Sequence, residues 1–86
     1  VHPTGKTAAL IDLRCETDFV ARSEEFKKLA HELALQAASM NPASVEELLS
    51  QPYIRDPGKT IKDLLIESIA KIGENIVIKR VSRFEI

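Results

Sequence analysis

Cys15-Glu16-Thr17-Asp18-Phe19-Val20-Ala21-Arg22-Ser23-Glu24-Glu25-Phe26 is where one backbone period gives way to another. Before it, Thr7 to Cys15 places Ile11, Leu13 and Cys15 on one side and Leu10, Asp12 and Arg14 on the other, the alternation of a half-buried strand. After it, Phe26, Leu29, Ala30, Leu33, Ala37 and Met40 recur at helical spacing and are expected to face the core, with Lys27, Lys28, His31, Glu32 and Gln36 elsewhere on the helix. Ser23 is suited to cap that helix, and Glu24 and Glu25 complement the positive end of its dipole. The pattern predicts a helix from about residue 24 to 40, stopped by Asn41-Pro42. What remains between the two elements is a connection held at both ends, where binding groups are commonly displayed. Its Asp18-Phe19 pair admits two readings: a charge and a wedge offered to a partner, or a turn cap and a core filler.

Further along, Ser44-Val45-Glu46-Glu47 has the form of a capping box and opens a short helix ending near Ser50, closed by Gln51-Pro52. Asp56-Pro57-Gly58-Lys59 has turn chemistry. Thr60 with Asp63 can then cap a helix carrying Ile61, Leu64, Leu65, Ser68, Ile69 and Ile72 on one face, and Gly73 fits a left-handed C-terminal cap. Ile76 to Ile86, rich in Ile, Val and Phe, reads as a strand with Lys79, Arg80 and Arg83 interleaved. Those three cations suit either a phosphate contact or a solvated sheet face. At the other end, Pro3 and Gly5 suggest a turn, hence a hairpin whose first strand is missing. The order strand, helix, short helix, helix, strand predicts an α+β fold, a small antiparallel sheet packed on one face by about three helices.

Composition narrows the chemistry. The 86 residues are expected to form one domain, with 44% hydrophobic and 29% charged residues as in ordinary globular proteins. No apolar run reaches the ~18 residues of a membrane span, and no signal peptide is visible. A net charge of −1 provides no basic footprint, so a protein partner is favoured over direct nucleic-acid binding. A single Cys15 excludes an intrachain disulfide, and His2 and His31 stand too far apart in sequence for a zinc pattern. Cys15 reads as a small buried hydrophobe ahead of a reactive thiol, and His31 as a surface residue ahead of an acid or base. With no Ser-His-Asp order and no phosphate-cradling Gly loop, bond chemistry is not expected, nor is any cofactor or metal.

The Cys15 to Phe26 run resembles the signature of the translation elongation factor Ts family, and Ala70-Lys71-Ile72-Gly73-Glu74-Asn75-Ile76-Val77-Ile78-Lys79-Arg80 is similar to that family's second marker. Met40-Asn41-Pro42, Gln51-Pro52-Tyr53 and Arg83-Phe84-Glu85 are further landmarks, so the similarity spans nearly the whole chain. The resemblance implies a guanine nucleotide exchange factor of the bacterial cytoplasm or an organellar matrix or stroma, acting on the GTPase elongation factor Tu. Residues 1–86 would be its core, dimerisation-type domain, without the first sheet strand and the N-terminal helical module. Thr17, Asp18, Phe19 and Val20 would form the intruding segment, with Phe19 wedging near the magnesium site of the GTPase and Asp18 positioning it. One buried Phe is worth roughly 2 kcal/mol, too little for a stable complex, so a second contact is expected. The resemblance places it at Ile72 and Gly73, which the residues alone explain as core and helix cap. Two departures limit the transfer: Gln36 stands where many members have a histidine, and Asn41 to Gln51 is shorter than in longer members. Short members can pair through the sheet, so a homodimer is an expected assembly. The alternatives are a structural or dimerisation module without exchange activity and a small RNA binder resting on Lys79, Arg80 and Arg83.

Overall fold

The computed structural model describes residues 7–85; the N-terminal turn and hairpin expected around Pro3 and Gly5 lie outside them. The first strand runs Thr7–Cys15 (β1) and pairs antiparallel with the last, Ile76–Glu85 (β4). Leu10 lies opposite Ser82, Leu13 opposite Ile78, and Cys15 opposite Ile76. Between Asp12, opposite Arg80, and Leu13, the register slips and leaves Lys79 as the extra residue of a bulge. The bulge resets the alternation, so that Ile76 and Ile78 are buried and the next inward residue is Val81. Lys79 and Arg80 are exposed, whereas the Arg83 Nε donates to the Ala38 carbonyl at 3.3 Å. The three cations therefore form no single phosphate-binding patch.

Helix Glu24–Met40 (α2) lies across this sheet. The Ser23 hydroxyl accepts from the Phe26 N–H at 3.2 Å, and Asn41 closes the helix in the left-handed region at φ 46°. Phe26, Leu29, Leu33 and Ala37 are buried as their spacing predicts, while Ala30 is half-buried. Ala37 and Ala38 meet Ala9 of β1, a small-residue contact that lets helix and strand approach closely. Two expectations fail on the remaining faces. Met40 is exposed, because it is the helix's last residue and overhangs the core. Glu32 and Gln36, read as lying off the core face, are buried. The reason is that α2 is covered on a second side by a hairpin, so its buried surface is wider than one apolar stripe.

That hairpin, Pro52–Tyr53 (β2) with Asp56–Thr60 (β3), was not legible as strands. Its turn falls at Ile54-Arg55, since Tyr53 pairs with Asp56, and not at Asp56-Pro57-Gly58-Lys59. The turn chemistry there is spent locally, the Gly58 N–H donating to Asp56 Oδ1 at 3.3 Å, and a two-residue pairing partner leaves Pro57 no ladder bond to break.

Helix Val45–Ser50 (α3) opens with the Glu47 N–H donating to the Ser44 hydroxyl at 3.1 Å; only this half of the expected capping box forms among the described residues. Helix Ile61–Ile72 (α4) carries both halves of its own, Asp63 N–H to Thr60 Oγ1 at 3.2 Å and Thr60 N–H to Asp63 Oδ2 at 3.0 Å. The Thr60 backbone donor holds the Asp63 carboxyl below its usual range. Gly73 ends α4 at φ 85°, a conformation that favours glycine.

The core joins Phe26, Leu29, Leu33, Leu48, Tyr53, Ile61, Ile76 and Ile78. Each large side chain fully buried there stabilises the fold by about 1.5 to 3 kcal/mol. The helices thus cover one face of the β1-β4 sheet and leave Leu10, Arg14, Val77, Lys79 and Arg80 exposed away from them, giving the α+β arrangement expected. Among the described residues, no helix is long and apolar enough to cross a membrane.

Candidate functional site

At the end of β1 the chain makes a single helical turn, Asp18–Ala21 (α1), before α2 begins. Thr17 is extended, and its hydroxyl accepts from the Val20 N–H at 3.4 Å, so Thr17 is the cap and Asp18 the first helical residue. The turn closes through Ala21 N–H to Thr17 C=O and Arg22 N–H to Asp18 C=O, each 3.2 Å. Ser23 serves both helices: its hydroxyl donates to the Val20 carbonyl at 2.7 Å while accepting from Phe26. Val20 packs against the main core and roots the turn. Nothing in α1 is fully buried. Phe19 is 91% exposed, which removes the core-filling explanation for it.

The second block reaches this turn from the other side. Ile72 is half-buried against the core, so its packing role holds, and a Cβ placed on Gly73 would meet nothing within 4 Å. One residue later, Glu74 Oε1 accepts the Thr17 N–H at 3.0 Å and Glu74 Oε2 accepts the Thr17 hydroxyl at 2.7 Å. In return, Glu16 Oε2 accepts the Asn75 N–H at 2.6 Å. Segments separated by 57 to 59 positions are thereby joined, and the expected contacts Thr17, Asp18, Phe19 and Val20 stand beside the α4 end that bears Ile72 and Gly73. Cys15 adds a bond inside the turn, its thiol lying 3.2 Å from the Thr17 carbonyl. Glu16 was not legible as part of the site. The available signal was an acid immediately outside each predicted run of contacts, before Thr17 and after Gly73.

A second polar centre lies between α2 and the hairpin. The buried Gln36 carboxamide donates to the Pro52 carbonyl at 2.9 Å and to Gln51 Oε1 at 3.3 Å, and accepts the Ile54 N–H at 3.0 Å. Nearby, the Arg55 Nε lies 2.7 Å from Glu32 Oε2, paired in charge but off line for a hydrogen bond. Burial, and then the Glu32 carboxylate, push the Tyr53 phenol above its ordinary range. A groove along α2 and α4 is lined by Leu29, Glu32, Tyr53 and Leu64 and bridged at one end by Lys71 Nζ to Glu25 Oε2 at 3.1 Å. Of its charges, Glu25 pairs with Lys71, Glu32 with Arg55 and Glu67 with Lys59, and among the described residues no group of His, Cys, Asp and Glu is placed to hold a metal.

Set against known proteins, residues 16–86 match the family model described as Elongation factor TS. The Elongation factor Ts of Herpetosiphon aurantiacus is 36% identical over 131 aligned residues, taking in 100% of this chain and 66% of the relative. That of Coprothermobacter proteolyticus is 37% identical over 129, with 98% and 66% covered. The Nostoc sp. protein is 46% identical over 84, covering 98% of this chain but 26% of its own length. The chain therefore spans just under two thirds of the first two relatives.

Proposed function

Since the chain belongs to the elongation factor Ts family, we propose that it acts in translation elongation as a guanine nucleotide exchange module on the GTPase elongation factor Tu. The observation that carries this reading is the exposure of Phe19 on a turn whose backbone is bonded on both sides. A large apolar side chain displayed in water gains by entering a partner's pocket, about 2 kcal/mol for a full phenyl ring. Rigid presentation supports it, because little conformational entropy is left to lose on docking. Exchange requires no bond chemistry from this chain. It requires tighter binding to the nucleotide-free GTPase than to the GDP-bound one, and the same coupling then lowers affinity for GDP.

In this reading Phe19 enters the GTPase near its magnesium site, Asp18 brings a negative charge with it, and Ile72 with Gly73 makes the second contact. Magnesium neutralises nucleotide phosphates, so displacing the ion or its water ligands loosens GDP. Gly73 suits a close backbone approach because the space its Cβ would take is open. The site of action is the bacterial cytoplasm or an organellar matrix or stroma, where translation runs. The test is release of labelled GDP from elongation factor Tu in the presence of this protein and of Phe19→Ala; equal rates would remove the wedge.

One observation favours a second reading, a dimerisation module without exchange activity of its own. Leu10 and Val77 are exposed on the outer face of the β1-β4 sheet, two apolar side chains set among Asp12, Arg14 and Arg80 that a second copy would cover. Sedimentation showing a tight dimer that does not bind the GTPase would select it.

A further inference from the structure

We propose that Glu16 and Glu74 form a two-way latch that locks the Phe19 turn to the C-terminal end of α4, making both carboxylates positioning residues for the Phe19 contact. The inference rests on the reading of Phe19 as the displayed contact, and the latch itself stands on geometry. The last sheet pair is Cys15 with Ile76, so beyond it the two segments have no ladder to hold them together. Each then supplies a carboxylate to the other's backbone: Glu16 to the Asn75 N–H, Glu74 to the Thr17 N–H and hydroxyl. Thr17 relays the bond onward, since the oxygen that donates to Glu74 also accepts from Val20 and so caps α1. Removing Glu74 frees the Thr17 hydroxyl to rotate and weakens the cap of the helical turn that carries Phe19.

The exposure of the latch distinguishes it from a folding element. Glu16 and Thr17 are exposed and Glu74 is half-buried, so water can replace the lost bonds at small cost to global stability. What is lost is orientation: Val20 is then the one side chain of α1 packed on the main core.

Amide hydrogen exchange, resolved by residue in the full chain, tests the latch directly, alongside thermal unfolding and GDP release from elongation factor Tu. Glu74→Ala and Glu16→Ala should each speed exchange at both Thr17 and Asn75 by about tenfold, the scale of one hydrogen bond to a charged acceptor, while the Leu33 amide keeps its protection. Glu74→Gln should recover part of the protection, because its carboxamide oxygen still accepts a bond. The GDP-release effect should follow amide protection across the series. Unchanged exchange at Thr17 in Glu74→Ala would overturn the latch. A Glu74→Gln protein with restored protection but the poor GDP release of Glu74→Ala would make Glu74 a direct charge contact and overturn the positioning role. Should the unmodified protein leave GDP release unaccelerated, the exchange reading fails, while the amide data still decide the latch.

Discussion

Two short segments project from the same core, the α1 turn bearing Phe19 and the β2-β3 hairpin bearing Ile54, and they are anchored in opposite ways. Phe19 is 91% exposed and its turn is tied by carboxylates in or near water. Ile54 is 46% exposed, but its backbone is tied by Gln36, which is 1% exposed. A bond to an exposed carboxylate can be exchanged for one to water, whereas a buried carboxamide that loses its partners strands donors and acceptors in apolar surroundings. The hairpin is therefore part of the folding unit. The α1 turn is an addition to it, free to be specified by a partner.

That contrast can be broken or sharpened by substitution. The largest effect is expected at Gln36→Leu, which keeps the volume but leaves the Ile54 N–H and the Pro52 carbonyl unpaired; chemical denaturation should show a loss of about 2 to 4 kcal/mol. A protein as stable as the original would end the claim that the hairpin belongs to the folding unit. Phe19→Ala should be the converse, slowing stimulated GDP release by about ten- to a hundredfold while denaturation moves by less than about 0.5 kcal/mol.

Gly73→Ala should cost about 1 kcal/mol in a melt, all of it from backbone strain at φ 85°, because the added Cβ meets no neighbour. Gly73→Asn should cost less, as Asn41 already occupies the left-handed region here. The smallest effect concerns the chain's single tyrosine, whose ultraviolet titration should have a midpoint above the ordinary 10.0. Glu32→Gln should lower that midpoint only partly, since burial raises it independently of the carboxylate. The sign follows: a phenol pKa raised by folding contributes stability that is complete below 10.0 and is lost as pH rises through the folded-state value.

The α+β order, the bounds of β1 and α2, the Ser23 and Thr60 caps and the left-handed Gly73 were all legible because each depends on neighbours within a few positions. Thr17 to Val20 was singled out as a displayed element through the family resemblance, with the alternative roles for Asp18 and Phe19 open; Thr17, Asp18 and Phe19 are exposed, whereas Val20 packs on the core. Three features were not legible. The α1 turn is too short to show a period, and the hairpin's apparent turn at Asp56 to Lys59 was displaced by pairing with Pro52 and Tyr53. Gln36 looked like an outer-face residue because its burial comes from a hairpin 15 to 18 positions away.

By itself, then, the sequence determined β1, the three longer helices and β4 in their order, and the family, since periodicity, capping and motif are local properties of a chain. Tertiary structure alone decided what the exposed and buried groups do. The bulge at Lys79 sends Arg83 back to Ala38 and separates it from Lys79 and Arg80. Folding brings Glu16 to Asn75 and Glu74 to Thr17 across nearly sixty positions. It leaves Phe19 in water, a fate that no local pattern encodes, because burial depends on whether any other part of the chain arrives to cover a side chain.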